Sequence, residues 1–268
     1  MPAQTALHAF IEGIGVLGPG LADWPSTASI LASAAPYLAS ATTLPAPQAL
    51  PPAERRRTGA AVKLALAIGF EATRHAAVDP STLATVFSTS GGDGVNCHEL
   101  CVVLAGADRQ LSPTRFHNSV HNVAAGYWSI AANATAAANV LCAHDASFGA
   151  GLLEALTQVV VEHASVLLLA YDTQYPEPLR AHRPIPDAFG VALVLAPHER
   201  APLAHLTATL TDDDAEHMSE PALEKLRVSI PAARSLPLLS RLARRNGGRV
   251  VLDYFEHARI ALQVEPCC

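Results

Sequence analysis

The chain has 268 residues, half of them apolar, and 18 Lys and Arg against 24 Asp and Glu give it a net charge of −6. This composition predicts a folded protein with a substantial core in one or two domains. No basic stripe is present to neutralise a row of phosphates, so we expect no nucleic-acid partner. The first twenty residues lack the features of a secretory signal, and no apolar run is long enough to span a bilayer. We therefore expect a cytoplasmic protein without a membrane span.

Cysteine and histidine spacing gives little support for a disulfide framework or a metal site. The cysteines stand at positions 97, 101, 142, 267 and 268, an odd number in a chain without an export signal, so free thiols are expected. Cys97, His98 and Cys101 have no second cluster to complete a metal site, which favours packing thiols. His117 and His121 stand four apart on a predicted helix, but no further ligand completes that set, so we favour hydrogen-bonded structural histidines. We expect no metal and no cofactor.

The first half of the chain alternates predicted strands and helices. A strand in AFIEGIGVLGPG runs into a Gly-Pro turn, and the proline-rich TTLPAPQALPPAERRR predicts an extended excursion. Apolar residues at helical spacing predict one helix from Ala53 to Ala77. There follow a strand in LATVFSTSGGDG, a helix through NCHELCVVLAG, a loop and a helix in SPTRFHNSVHNVAAGYWSIAA, and a short buried strand in AAANVLCA.

The second half begins with CAHDASFGAG, which lies between that short strand and the helical LLEALTQVVVEH and predicts a sharp turn. Further strands are predicted in ASVLLLAYD, FGVALVLAP and LAHLTATL. After Asp212 come an acidic connector, a short amphipathic helix in SLPLLSRLARRNGG and two strands in RVVLDYFEHARIALQVEP. Strands that alternate with helices predict an α/β fold with a mainly parallel sheet covered on both faces.

A strand–turn–helix junction of this kind holds the nucleophile of many enzymes. Ser147 approaches the G-x-S-x-G elbow of the α/β-hydrolases, with Asp145 in place of the first glycine. A serine hydrolase also needs a later acid and a histidine, for which Asp253 and His257 are the late candidates, although their four-residue separation is cramped. On the local sequence alone, Asp145 is equally well explained as a helix N-cap.

The segment from Leu111 to Asp172 resembles the N-terminal half of the β-ketoacyl synthases, condensing enzymes of the thiolase-like fold. The Asn, Ala-Gly and Ile of HNVAAGYWSI fall where that family carries the same residues around its substrate-facing helix. GIGVLGPG, STSGGDG, LLLAYD and RPIPDAFGVALVLAP extend the resemblance outward. It implies a thiolase-like α/β fold with a mixed sheet, a ketosynthase-like domain at 1–210, and a divergent extension at 211–268 that packs on the same domain.

In that family, the cysteine of a Thr-Ala-Cys turn attacks the acyl thioester. Counting from Ile130, Asp145 takes the place of this cysteine, and Phe148 replaces a nearby glycine of the family. A helix N-terminus activates a thiolate, but it makes an aspartate a stable cap and a poor nucleophile. The family's second half, with its two active-site histidines, has no room after Asp212. The resemblance therefore implies that the chain has no catalytic residue and does not condense by itself.

The whole chain is similar to the small chain-length-factor subunits of aryl polyene and xanthomonadin-type pigment pathways. This resemblance implies a non-catalytic subunit that pairs with a full-length ketosynthase, shapes its acyl tunnel during polyene or polyketide elongation, and meets an acyl carrier protein through the complex. It places the tunnel and the interface at Thr114, Arg115, Phe116, His117, Tyr127, Trp128, Asn139, Val140, Leu141, Cys142 and Phe148. A solitary acyl-binding protein of the same fold is a further alternative, and such a protein is expected to be stable without a partner.

Overall fold

One sheet organises the chain, and the computed structural model describes it over residues 6–267, so that residues 1–5 and Cys268 lie outside the described residues. Its eight strands are β1 (Leu7–Leu17), β2 (Ala84–Ser88), β3 (Ala138–Leu141), β4 (Val166–Asp172), β5 (Phe189–Ala196), β6 (Ala204–Thr211), β7 (Gly248–Phe255) and β8 (Ala258–Pro266). They lie in the order β3-β2-β4-β5-β1-β6-β8-β7. The residues after Asp212 thus continue the same sheet through β8 and β7.

Helices cover this sheet over the described part of the chain. They are α1 (Trp24–Leu31), α2 (Pro52–Arg55), α3 (Ala60–His75), α4 (Gly94–Ala105), α5 (Pro113–His117), α6 (Val123–Ala132), α7 (Ser147–Glu162), α8 (Leu179–His182), α9 (Pro221–Ser229) and α10 (Leu236–Ala243). Short 3₁₀ helices lie at Pro80–Thr82, His144–Ala146 and Pro231–Ser235.

The sheet is mixed, as the resemblance implied. Strand β2 pairs in parallel with β3 and β4, but the other pairings, from β4–β5 to β7–β8, are antiparallel. The prediction of a mainly parallel sheet is therefore wrong. Strands β4 and β5 are buried along their whole length, because helices cover both faces of the sheet, and such apolar runs do not report strand direction.

Two hydrophobic cores lie on the opposite faces of the sheet. On one face, α1, α7, α9 and α10 contribute side chains to one core, and Phe148, Leu152 and Leu156 of α7 are buried there. On the other face, α3 and α6 pack together, and Ile68 and Trp128 are buried. Burial of these side chains on both faces supplies the main stabilisation of the fold.

Two local expectations differ from the structure. The helix predicted over 53–77 is divided into α2 and α3, because the backbone of Gly59 is extended (φ −78°, ψ 179°) just before α3 begins. The strand predicted to be buried in AAANVLCA is β3, whose residues are exposed or half-buried. It is apolar in sequence, but it lies at the end of the sheet with a neighbour on one side only.

Strand β1 lies unusually close to α3, and two glycines permit this approach. A Cβ atom on Gly13 would lie 2.2 Å from the Ala72 carbonyl oxygen, and one on Gly15 would lie 2.1 Å from the Ile68 carbonyl oxygen. Both contacts are with helix backbone, which cannot move aside as a flexible side chain can. The packing of α3 on the sheet therefore requires glycine at both positions.

We expect Gly15→Ala to lower the free energy of unfolding by about 1–3 kcal/mol, since the added methyl group forces α3 away from β1. Urea denaturation measures this change. Gly126→Ala is the matched control, because a Cβ atom there meets nothing within 4 Å, and it should leave stability unchanged or raise it by up to about 1 kcal/mol. Equal midpoints for Gly15→Ala and the unmodified chain would contradict the steric argument.

Candidate functional site

The sharp turn predicted in CAHDASFGAG is present at the carboxyl end of β3. The strand ends at Leu141, a 3₁₀ helix follows at His144–Ala146, and α7 begins at Ser147. His144 has φ 51°, in the left-handed region that a residue with a side chain seldom adopts. The Ser88 hydroxyl donates to the Ser147 carbonyl oxygen at 2.5 Å, so the end of β2 fixes the start of α7.

Asp145 lies in this turn, but it does not cap α7. The residue in the N-cap position is Ala146, and no side chain accepts a bond from the first turn of the helix. The Asp145 carboxylate instead accepts a hydrogen bond from Arg183 at 2.6 Å and lies 3.4 Å from an Arg234 nitrogen. The N-cap prediction is wrong because the intervening 3₁₀ turn directs the carboxylate towards these two guanidinium groups.

The two arginines reach the turn from distant parts of the chain. Arg183 follows α8, and Arg234 lies in the 3₁₀ helix Pro231–Ser235, with 22% and 19% of their side chains exposed. Partial burial raises the pKa of Asp145, but the hydrogen bond and charge of Arg183 and the charge of Arg234 outweigh it and hold that pKa below its ordinary value. The turn thus presents a carboxylate that is paired with two guanidinium groups.

A second carboxylate, Asp172, is completely buried at the end of β4. It accepts hydrogen bonds from the Ser90 backbone N–H at 2.8 Å, the Ser90 hydroxyl at 2.6 Å and the Thr89 hydroxyl at 3.4 Å. It also accepts one from the Ala232 N–H at 2.8 Å. Asp172 therefore joins the ends of β2 and β4 to the C-terminal segment that carries Arg234. We did not select Asp172 as a site residue from the sequence, although an aspartate at the end of the apolar strand LLLAYD is a recognisable pattern.

The serine hydrolase alternative finds no support in the geometry. The Ser147 hydroxyl is buried and donates to the His144 carbonyl oxygen at 2.7 Å. Asp253 is paired with Arg227, and His257 lies exposed in the turn between β7 and β8. These three residues do not form the hydrogen-bonded chain that a catalytic triad requires.

Of the residues expected at the tunnel and interface, those on α5 and β3 lie at the surface, and the other three lie in the cores. Thr114, Arg115, Phe116 and His117 form most of α5, where Phe116 is 64% exposed. Asn139, Val140, Leu141 and Cys142 form most of β3 and its end, at the open edge of the sheet. Tyr127, Trp128 and Phe148 instead lie in the two cores. Their proposed contact with a tunnel stays a prediction, and their observed contacts are those of core residues.

The candidate residues on α5 and on β3 both lie near the loop that follows β2. The carbonyl oxygen of Ser90 accepts a hydrogen bond from the Cys142 thiol at 3.1 Å, and a Cβ atom on Gly92 would lie 3.8 Å from the His121 ring. The loop after β2 thus touches both the end of β3 and the turn between α5 and α6. Helix α4 follows this loop, and its Glu99 lies 3.5 Å from the Arg115 guanidinium of α5.

The histidine and cysteine candidates do not come together. α5 ends at His117, and His121 lies in the turn before α6, so the expectation that both stand on one helix is wrong. Between residues 6 and 267, no three His, Cys, Asp or Glu side chains are grouped to hold a metal ion. Cys97, Cys101 and Cys142 are exposed and not in disulfides. None of the helices in the described range is long and apolar enough to cross a membrane.

Comparison with solved structures defines the class of fold. The chain superposes on one chain of the structure described as the ketosynthase ApeO in complex with its chain length factor ApeC from Xenorhabdus doucetiae, with a TM-score of 0.73 and 23% identity, covering 96% of this chain and 99% of that one. The ishigamide ketosynthase/chain length factor gives a TM-score of 0.70 and 15% identity, with coverages of 97% and 99%. The mixed sheet and its two helical layers are thus the thiolase-like fold of ketosynthases.

A further structure, the type II polyketide synthase complex AntDE:AntF, gives a TM-score of 0.74 and 11% identity, covering 98% of this chain and 100% of that one. The model of the β-ketoacyl synthase N-terminal domain matches residues 30–246. The chain therefore belongs to the β-ketoacyl synthase family. A search of curated proteins by sequence finds no match.

The buried carboxylate of Asp172 predicts a pH dependence of stability. Burial raises its pKa from 3.8 to about 6, against the opposing effect of its hydrogen bonds. The folded chain therefore binds a proton more tightly than the unfolded chain, and the contribution of this group falls by about 3 kcal/mol as the pH rises from below 4 to above 6.

Urea denaturation at several pH values in this interval measures the effect. The Asp172→Asn variant cannot titrate at this position, so its stability should decline less steeply with rising pH than that of the unmodified chain. Parallel pH profiles for the two proteins would exclude Asp172 as the titrating group.

Proposed function

We propose that the chain is a non-catalytic chain-length factor, which pairs with a full-length ketosynthase and shapes the acyl tunnel of the pair during polyene or polyketide elongation on an acyl carrier protein. The observation that carries this proposal is the open edge of β3, which lies beside an exposed apolar surface. The cytoplasmic location expected from the sequence belongs to the same proposal.

The open edge of β3 offers backbone groups to a partner strand. The Thr85 N–H donates to the Ala137 carbonyl oxygen at 2.9 Å, and the Thr89 N–H donates to the Leu141 carbonyl oxygen at 3.3 Å. Because successive residues of a strand direct their backbone groups to opposite sides, those of Ala138 and Val140 point away from β2. An uncovered strand edge is a surface that native proteins normally protect or use for pairing.

Half of the exposed large apolar side chains lie on α4, α5, α6 and the turn between α5 and α6, and α6 packs against β3. Large apolar residues with at least two fifths of their surface exposed occur on α4, α5, α6 and the turn between the last two helices. They are Val95, Val102, Leu104, Phe116, Val120 and Ile130, half of the exposed large hydrophobic residues of the described chain. A patch of this kind marks an interaction surface, and a permanent interface resembles a core that has been divided in two.

The state of the turn supports a role without catalysis. Acyl transfer needs a nucleophile, and the Asp145 carboxylate is engaged by Arg183 and Arg234. A lowered pKa and two cationic partners make this carboxylate a weaker nucleophile than a thiolate at the same position. A subunit with this turn contributes shape and surface to a complex, and the partner supplies the reacting cysteine.

The descriptions of the compared structures support this proposal. Two of them are described as ketosynthase and chain length factor together, and the third as a ketosynthase with its acyl carrier protein. The ketosynthase from module 1 of the bacillaene synthase of Bacillus amyloliquefaciens is matched over only 48% of its length. We favour the solitary acyl-binding protein less, because a monomer would leave the apolar side chains of α4, α5 and α6 exposed to water.

We expect Val140→Pro to weaken assembly with a co-expressed ketosynthase by about tenfold or more. Proline removes an N–H that points to the open edge, while the bonds of Ala137 and Leu141 to β2 are kept. Analytical ultracentrifugation of the mixed subunits measures the change.

Val140→Ala is the matched control, because it keeps the N–H and should assemble normally. Circular dichroism of the isolated Val140→Pro subunit verifies that its fold is retained. A well-behaved monomer that forms no complex with any ketosynthase of its host would refute the proposed function, and normal assembly of a folded Val140→Pro would refute pairing through β3.

Phe116 is the exposed aromatic residue proposed to lie at the acyl tunnel. In an assembled pair, Phe116→Ala should lengthen the acyl products and Phe116→Trp should shorten them, since tunnel depth is a steric limit. Mass spectrometry of the carrier-bound products measures their length. Phe255→Ala, which removes a similarly exposed ring at the far end of the sheet, should leave the products unchanged. An identical product distribution for all variants would remove Phe116 from the tunnel wall.

A further inference from the structure

A groove of about 980 Å³ lies away from the turn and from β3. It is bounded by α3, by the end of β1 and the turn that follows, and by the proline-rich segment 38–49. Its volume is in the range of small-molecule sites. The proposed chain-length-factor role makes no use of it.

The walls of this groove are held in place by tertiary hydrogen bonds. The Tyr37 hydroxyl donates to the Pro19 carbonyl oxygen at 2.9 Å. The Thr42 hydroxyl donates to the Ala188 carbonyl oxygen at 2.7 Å, and the Thr42 N–H donates to Asp187 at 3.1 Å. The proline-rich segment is therefore fixed at some distance from α3, and the space between them is preformed.

One face of α3 forms the floor. Lys63, Leu66, Ala67, Phe70, Glu71 and Arg74 line the groove, at the spacing of a single helical face. The middle of this face is apolar, and its ends are charged. From Lys63 to Arg74 it extends about 16 Å along the helix axis, which gives the floor an elongated shape.

The charged side chains at the two ends of the groove differ in their partners: Glu71 is hydrogen-bonded, and Lys63 is not. At the Arg74 end, the Glu71 carboxylate accepts hydrogen bonds from the Val16 N–H at 2.8 Å and the Trp24 N–H at 2.5 Å, although burial raises the pKa of this carboxyl group above its ordinary value. At the other end, the Lys63 ammonium makes no hydrogen bond or ion pair with any residue between 6 and 267. Lys63 is thus a cation without a counter-charge beside an apolar floor.

Gln48 also lines the groove, and its partner Arg55 lies in α2, shortly before the first turn of α3 that carries Lys63. Its side-chain oxygen accepts a hydrogen bond from Arg55 at 2.6 Å, which fixes the amide and leaves its NH₂ group to donate. A cation and an amide donor together match an anionic oxygen group. We propose that this groove binds a fatty acid, with its carboxylate at Lys63 and Gln48 and its chain over Leu66, Ala67 and Phe70.

Titration calorimetry of the full chain with sodium dodecanoate tests this site. We expect saturable binding of one molecule per chain, and a roughly tenfold loss of affinity in Lys63→Met, which removes a charge-assisted bond and keeps the apolar stem. Lys225→Met is the matched control, since Lys225 is the one other lysine in the sequence and lies exposed on α9. Dodecylamine has the same chain with the opposite charge and should bind at least tenfold more weakly.

Acetylation with acetic anhydride, read by mass spectrometry, locates the ligand independently. Dodecanoate should protect Lys63 and leave Lys225 equally reactive. No saturable binding to the unmodified chain, equal affinity of Lys63→Met, or equal affinity for dodecylamine would overturn the proposal. Because the groove is remote from β3, these outcomes are independent of whether the chain assembles with a ketosynthase.

Discussion

The buried carboxylate of Asp172 is the interaction on which the arrangement of the site depends. It accepts hydrogen bonds from Ser90 at the end of β2 and from Ala232 in the C-terminal segment. Since Arg234 is two residues further along, the same bond sets where this guanidinium meets Asp145. A desolvated carboxylate is costly unless its lone pairs are satisfied, so the three segments are held together by the need to satisfy one group.

The turn before α7 and the edge of β3 differ in how their polar groups are paired. At the turn before α7, Arg183 and Arg234 approach the carboxylate of Asp145, the residue that we propose to be the counterpart of the family's cysteine. At β3 and the neighbouring helices, backbone groups and apolar side chains are left to solvent. Both features follow from the same sheet, because the turn lies at the end of the edge strand. An ion-paired turn beside an uncovered strand edge is the arrangement from which we propose a subunit that acts by pairing with a partner.

The sequence predicted the strands, the sharp turn and the family, since apolar patterning and local motifs carry that information. It did not predict the direction of the strands, because β4 and β5 are buried on both faces whichever way they run. The partners of Asp145 were missed for another reason: Arg183 lies in a loop and Arg234 in a 3₁₀ turn, and neither has a periodic pattern that points to a carboxylate. The groove along α3 is built from segments distant in the chain, so no local pattern announces it.

In the proposed complex, the shortness of β3 has a consequence for how the chain distinguishes one partner from another. Four residues provide few backbone hydrogen bonds, and these bonds are the same for every strand that might approach, so they carry no preference between partners. If the chain pairs through β3 as proposed, discrimination between partners resides in side chains such as Asn139 and those of α4 and α5. Evolution is free to change these side chains without disturbing the sheet, and subunits of one fold can in this way be kept apart in a cell that contains several related synthases.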